Sequence, residues 1–137
     1  MKFQYAVSPS VLDSRGRMVR RPILILELKT TDGRIGDVPA MIDSGADRTQ
    51  VNFEYAKMTG IELGQRRDSI GIGDGRVEGY SGKFSFSIKN TDIQMDISAT
   101  YLKSPNVVIL LGREDFFDSF RIVFEQYQDS FELIRKK

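Results

Sequence analysis

Val38-Pro39-Ala40-Met41-Ile42-Asp43-Ser44-Gly45-Ala46-Asp47-Arg48-Thr49 is the stretch on which the fold turns. An apolar strand ends at Ile42, and the next residue is a carboxylate in a loop of small residues. That order puts Asp43 at the end of a rigid element, where a scaffold can hold a reactive group in place. Ser44 can hydrogen-bond backbone or a neighbouring loop, and Gly45 lets another backbone or a substrate come close. Asp47 adds a second carboxylate four residues on, and the small side chains between leave room for a ligand.

Two landmarks lie further along the chain. Ile70-Gly71-Ile72-Gly73-Asp74-Gly75 is glycine-rich, and Val107-Val108-Ile109-Leu110-Leu111-Gly112-Arg113 is an apolar run closed by Gly-Arg. Asp43-Ser44-Gly45-Ala46-Asp47 resembles the Asp-Thr/Ser-Gly-Ala-Asp signature of the retropepsins, the single-domain aspartic proteases of retroviruses and their cellular and prokaryotic relatives. The later Gly112-Arg113 resembles that family's apolar-Gly-Arg segment, and the glycine-rich stretch stands where the family carries its flap. In order, the three landmarks span roughly residues 20 to 125.

The resemblance implies an all-β, closed acid-protease fold with one or two short helices, forming one domain over residues 1–137. It implies a catalytic group of Asp43, Ser44 and Gly45. Substrate would be met by Ala46, Asp47 and Arg48 and by the flap residues Gly71, Ile72, Gly73, Asp74 and Gly75. Gly112, Arg113 and Arg21 would give structural support: Arg113 would pair with Asp47 of its own chain, and Arg21, just before Pro22, would reach Asp47 of a second subunit. Breaking such a partly buried pair typically costs about 3–5 kcal/mol. Asp47 itself would face the substrate backbone and so would not partner Asp43 in catalysis.

Composition narrows the chemistry independently. The 137 residues suffice for one real core. With 20 Lys and Arg against 19 Asp and Glu, the net charge of +1 gives no strong attraction to nucleic acid or an anionic membrane. Cysteine and histidine are both absent, which excludes disulfides, Cys or His metal ligation, a Cys nucleophile and any Ser-His-Asp triad. Carboxylate, lysine and tyrosine remain for acid-base work, and neither a metal nor a cofactor is expected. The longest aliphatic runs, residues 23–26 and 107–111, are too short to span a bilayer, and Met1-Lys2-Phe3 does not open a signal peptide. A cytoplasmic protein is the expectation.

Along the chain, residues 3–7 read as an edge strand and residues 8–20 as a polar loop. Its basic cluster, Arg15, Arg17, Arg20 and Arg21, lacks interleaved aromatics and reads as a solvated loop more than a nucleic-acid site. Residues 22–28 form a largely buried strand, Asp32-Gly33 a hairpin turn, and residues 34–42 the returning strand that delivers Asp43. A short helix over 52–59 ends at Gly60. Phe84, Phe86 and Ile88, then Ile93, Met95, Ile97, Ala99 and Tyr101, alternate with polar residues around an Asn90-Thr91-Asp92 turn, as two strands facing a core. The unbroken run 107–111 predicts a strand covered on both faces. A short helix over 113–120, with Glu114 and Asp115 in its first turn, and strands near 121–125 and 131–134 complete the chain.

Two carboxylates sharing one proton can activate water for attack on an amide, because like charges at hydrogen-bonding distance cannot both ionise. The chain has a single Asp-Ser-Gly, so a protease would need two subunits, each giving an Asp43 across a two-fold axis. Serine for threonine at position 44 loosens the expected clamp between the two loops. Other motif readings fit less well. The glycine-rich segment misses the third glycine of a dinucleotide fingerprint, where Arg76 stands, and lacks the Lys-Ser/Thr of a phosphate loop. Asp43, Asp47 and Glu54 match positions 1, 5 and 12 of a calcium loop, but Arg48 occupies its glycine position. Arg48 at a side-chain subsite would favour acidic or polar substrate residues. Glu114 stands where the family usually has Asn or Asp, and both termini are longer than in the minimal viral enzymes. The sequence thus points to a homodimeric aspartic endopeptidase acting on peptide or protein, with neither nucleic acid nor membrane as partner. The alternative is a catalytically silent peptide-binding or dimerisation module of the same fold.

Overall fold

Strand-forming alternation runs through most of the computed structural model, which describes residues 1–70 and 75–136. In chain order the elements are β1 (Lys2–Gln4), β2 (Ala6–Leu12), β3 (Met18–Arg21), β4 (Ile23–Lys29), β5 (Ile35–Ile42), β6 (Thr49–Asn52) and α1 (Glu54–Thr59). They continue with β7 (Ser69–Ile70), β8 (Arg76–Val77), β9 (Gly79–Ile88), β10 (Gln94–Leu102), β11 (Ile109–Leu111), β12 (Phe120–Glu125) and β13 (Ser130–Arg135). No helix among the described residues is long and apolar enough to cross a membrane.

Six strands close into a barrel in the order β10-β6-β11-β5-β4-β9. The period of two explains which side chains fill it. Leu24, Leu26 and Leu28 on β4 and Val38, Ala40 and Ile42 on β5 all point inward and are buried. Phe84, Phe86 and Ile88 on β9, and Ile97, Ala99 and Tyr101 on its antiparallel neighbour β10, are buried in the same interior. Tyr101 is fully buried, and its hydroxyl donates to the Lys83 carbonyl at 2.8 Å, so its polar end is satisfied. Burying each such aliphatic or aromatic side chain is worth about 1.5–3 kcal/mol, against about 0–1 kcal/mol for an exposed ion pair. The inward rows therefore hold the fold. Outside the barrel, β1, β13 and β12 form a three-stranded sheet, β2 pairs with β3, and β7 with β8. Phe3 and Phe131 stack at 5.2 Å between ring centroids under the three-stranded sheet.

Several local expectations hold. Gly33 (φ 85°) turns β4 into β5, Gly60 (φ 71°) ends α1 in the left-handed region, and Asn90 (φ 63°) sits in the turn before β10. Others are corrected. Residues 8–20 are not a loop: β2 and β3 form a hairpin whose turn is fastened by Asp13, whose Oδ1 accepts the Arg15 and Arg17 N–H groups at 2.8 and 2.9 Å. Its ladder is irregular between Val7 and Leu12, with Ser10 at φ 64°, which is why no clean alternation marks it. The helix expected from 52 begins at Glu54, with Asn52 Oδ1 accepting the Glu54 N–H at 3.0 Å. In the apolar run 107–111 only Ile109–Leu111 is strand, with Ile109 and Leu111 buried and Val108 59% exposed, so one face, not two, is fully covered.

The helix expected over 113–120 shrinks to a single 3₁₀ turn at Phe117–Ser119. Tertiary ties override its propensity. The Arg113 and Glu114 N–H groups donate to the Ala46 and Asp47 carbonyls, Asp115 adopts φ 67°, and Asp115 Oδ2 accepts the Ser98 N–H at 2.7 Å. Phe116, fully buried, pins the segment to the core.

Candidate active site

β5 carries the chain to Ile42, whose N–H donates to the Pro22 carbonyl at 2.9 Å. The strand then stops because Asp43 turns the backbone through three hydrogen bonds. Its N–H donates to the Leu111 carbonyl (3.1 Å), its carbonyl accepts the Ala46 N–H (3.2 Å), and its Oδ1 accepts the Gly45 N–H (2.9 Å). Asp43 is half-buried, while Ser44 and Gly45 beside it are exposed. Oδ2 has no hydrogen-bond partner among the described residues. One oxygen is thus fixed and the other is open to a further hydrogen-bond partner.

Gly112 and Thr49 lock this loop from behind. Thr49, fully buried, accepts the Gly112 N–H on Oγ1 at 3.1 Å. A Cβ on Gly112 would lie 2.5 Å from the Arg48 carbonyl carbon and oxygen and 2.8 Å from the Ala46 oxygen, all backbone, so glycine is required for the approach. The next residues continue the contact: Arg113 N–H to Ala46 O at 2.8 Å and Glu114 N–H to Asp47 O at 2.9 Å. Side chains follow the backbone, with Arg113 paired to Asp47 and Arg48 to Glu114 at 3.4 Å.

A cleft of about 660 Å³ opens beside the loop. One wall is the segment 46–50, the facing wall is the hairpin base 67–70, and Thr100, Leu102 and Glu114 complete it. The hairpin base carries its own network. Arg66 pairs with Asp68 at 3.0 Å, Asp68 also accepts the Gly79 N–H at 3.3 Å, and Glu78 accepts from the Tyr80 hydroxyl at 2.6 Å and pairs with Lys103 at 3.2 Å. The hydrogen bond from Arg66 holds the Asp68 carboxyl below its usual value. The Tyr80 hydroxyl and then Lys103 do the same for Glu78, and donating to Glu78 raises Tyr80.

Of the residues expected from sequence, the structure brings Asp43, Ser44, Gly45, Ala46, Asp47 and Arg48 together with Gly112 and Arg113. The Asp47–Arg113 pair is not partly buried as expected: its side chains are 80% and 61% exposed. Arg21, on β3 opposite Ala6, lies beside the end of β5, with Nη1 4.0 Å from Met41 Sδ, and makes no ion pair with Asp47 of its own chain among the described residues. Gly71, Ile72, Gly73 and Asp74 lie outside the described residues, and Gly75 is exposed just before β8. β7 and β8 bracket them as an antiparallel pair, Ser69 opposite Val77 and Ile70 opposite Arg76. Sequence reading missed Thr49 and the network of Arg66, Asp68, Glu78 and Tyr80. For Thr49 the available signal was its place at the start of an alternating strand directly after the small-residue loop.

No family model matches the sequence, and no curated protein does. Solved structures do. The crystal structure of a retropepsin-like aspartic protease from Rickettsia conorii superposes with a TM-score of 0.61 at 14% identity, covering 96% of this chain and 97% of that one. The retroviral protease-like domain of Ddi1 from Leishmania major superposes with a TM-score of 0.53 at 14% identity, covering 84% of this chain and 94% of that one. The fold is retropepsin-like.

Proposed function

We propose that this chain, on its retropepsin-like fold, is an aspartic endopeptidase that works as a homodimer, with Asp43 of each subunit contributing to one shared dyad. The observation that carries the reading is Asp43 itself: a half-buried carboxylate at the end of a barrel strand, with Oδ1 held by the Gly45 N–H and exposed Ser44 and Gly45 beside it. Each chain holds one such loop, so the second carboxylate has to come from a second copy. Exposed Ser44 would then meet its counterpart loop.

In the proposed reaction the ionised Asp43 takes a proton from water as the water oxygen bonds to the scissile carbonyl carbon. The protonated Asp43 of the other subunit gives its proton to the carbonyl oxygen. The tetrahedral diol then collapses: the C–N bond breaks, the leaving nitrogen gains the proton taken from water, and the carbonyl proton returns to the dyad. Aspartic proteases are the type case of this proton sharing, and the titration belongs to the pair of carboxylates. Residues Gly71, Ile72, Gly73, Asp74 and Gly75 are the proposed flap, supported by the β7–β8 pairing that brackets 71–74 and by its base forming one wall of the cleft. Arg21 is proposed to reach Asp47 of the other subunit. The domain is taken to span residues 1–137, and a cytoplasmic location and the lack of nucleic-acid or membrane partners rest on the sequence reading.

The test is cleavage of a mixed peptide library at mildly acidic pH by wild type and Asp43→Asn, with oligomeric state measured at the same concentrations. Asn keeps the shape and removes the titratable group. Cleavage by dimeric wild type and its loss in a dimeric mutant is the expected result. A folded, dimeric wild type that binds library peptides without cutting them would move the protein to the silent peptide-binding module.

A further inference from the structure

The charges lining the cleft do not cancel evenly. Asp47 is engaged by Arg113, Asp68 by Arg66 and the Gly79 N–H, and Glu114 by Arg48. The pairing of Arg48 with Glu114 uses up the cation that sequence alone made the natural selector of acidic side chains. Arg67 remains. It lines the cleft from the hairpin side, is half-buried, and makes no ion pair among the described residues. It also borders a second recess with Asp96 and Asp115, but Asp115 Oδ2 is taken by the Ser98 N–H and Asp96 forms no pair with it.

The backbone of Arg67 is fixed in position. Its N–H donates to the Gly79 carbonyl at 2.7 Å, and a Cβ on Gly79 would lie 2.6 Å from the Arg67 carbonyl oxygen. Strand β9 therefore packs against Arg67 at a distance only glycine permits, and the long side chain starts from an anchored Cα. A guanidinium that lines the cleft and has no carboxylate partner among the described residues presents a planar set of donors suited to a carboxylate.

We propose that Arg67 is the specificity-determining residue of this cleft, and that peptides taken there carry an aspartate or glutamate side chain. The inference rests on the peptide-cleaving reading of the Asp43 loop, which this cleft adjoins at Ala46. Arg48 and Glu114, each about half exposed, hold the opposite wall as a neutral pair.

Binding, measured apart from cleavage, tests it. Fluorescent peptides differing only in carrying Asp/Glu, Asn/Gln or Lys at one position are titrated into the Asp43→Asn chain, alone and combined with Arg67→Gln, Arg67→Lys or Arg67→Glu. The acidic peptides should bind about tenfold tighter than their amide counterparts, the scale of one charge-assisted hydrogen-bonded contact. Arg67→Gln should remove the preference by weakening the acidic peptides alone, Arg67→Lys should keep part of it, and Arg67→Glu should turn it toward lysine-containing peptides. The preference should also shrink with added salt. Equal binding of both series, no binding of either, a preference that survives Arg67→Gln, or a loss that strikes both series alike would each overturn the proposal. Wild type is then given the same peptides: charge-selective binding without cleavage would sink the protease reading and leave Arg67 in its role.

Discussion

The backbone N–H of Gly112 donates to the hydroxyl of Thr49 at 3.1 Å in the buried interior, joining the end of β11 to the start of β6 directly behind the loop that bears Asp43. Both residues are constrained by the same backbone approach, and each fails differently when changed. Thr49→Val keeps the shape but leaves the Gly112 N–H without an acceptor, a loss of about 1–3 kcal/mol. Gly112→Ala drives a Cβ into the Arg48 and Ala46 backbone and should cost at least about 1–3 kcal/mol. Urea unfolding should show a lower midpoint with unchanged m for both, and Thr49→Ser, which keeps the acceptor and deletes one buried methyl, should lose about 1 kcal/mol. A neutral Gly112→Ala would mean that the two backbones are not in contact.

The Asp47–Arg113 pair is exposed on both sides in the chain, so Arg113→Ala should lower the stability of the isolated chain by less than about 1 kcal/mol. The check is chemical unfolding at concentrations where the protein is monomeric. A loss of about 3–5 kcal/mol would show instead that the pair is buried in the protein in solution. Under the proposed protease reading peptide cleavage is a separate readout, because Arg113 pairs with Asp47 on the cleft wall.

What the sequence made legible and what it did not divide along a physical line. β4, β5, β9 and β10 could be read because each puts one face of alternating side chains into the barrel, and that pattern is local. The Asp43 loop could be read because its small residues and carboxylates have few structural uses together. Residues 113–120 looked helical by composition, and the hydrogen bonds that unmake the helix come from residues 46 and 47, far away in sequence. The β2–β3 hairpin escaped because its ladder slips near Ser10 and its turn is tied by the Asp13 side chain. Thr49 escaped because a buried threonine and a strand-forming threonine are the same letter, and the hairpin-base network because it joins residues 66–68 to 78–80 and 103 across strands.

Acid should weaken the hairpin base. Asp68 and Glu78 lie below their ordinary values of 3.8 and 4.5, so the unfolded chain binds their protons more readily than the folded one. Their stabilising contribution is complete above those ordinary values and disappears as pH falls through the lower folded ones. Thermal unfolding followed from neutral pH downward should show melting temperature falling below about pH 4. Glu78→Gln should lower it at neutral pH and flatten part of that acid limb. An acid limb unchanged by Glu78→Gln would remove this group from the account. At mildly acidic pH, where a proton-sharing dyad operates, the hairpin base should still be intact.

Mixing wild type with Asp43→Asn separates a shared dyad from a self-sufficient site. If each subunit supplies one carboxylate, a hybrid dimer has only one and is inactive. Equimolar chains that exchange freely then leave roughly a quarter of the dimers with two Asp43 residues, so activity at fixed total protein should fall to about a quarter of the wild-type value. A chain that works alone would retain half. Adding excess mutant to a fixed amount of wild type sharpens the contrast: activity should decline toward zero in the first case and stay constant in the second. Dilution gives the same answer by another route, since activity per chain should collapse below the dimer dissociation constant. The oligomer must be measured in every mixture, because a mutant that fails to assemble with wild type would mimic self-sufficiency. With hybrid formation verified by an affinity tag on one chain, constant activity under excess mutant would end the shared-dyad reading.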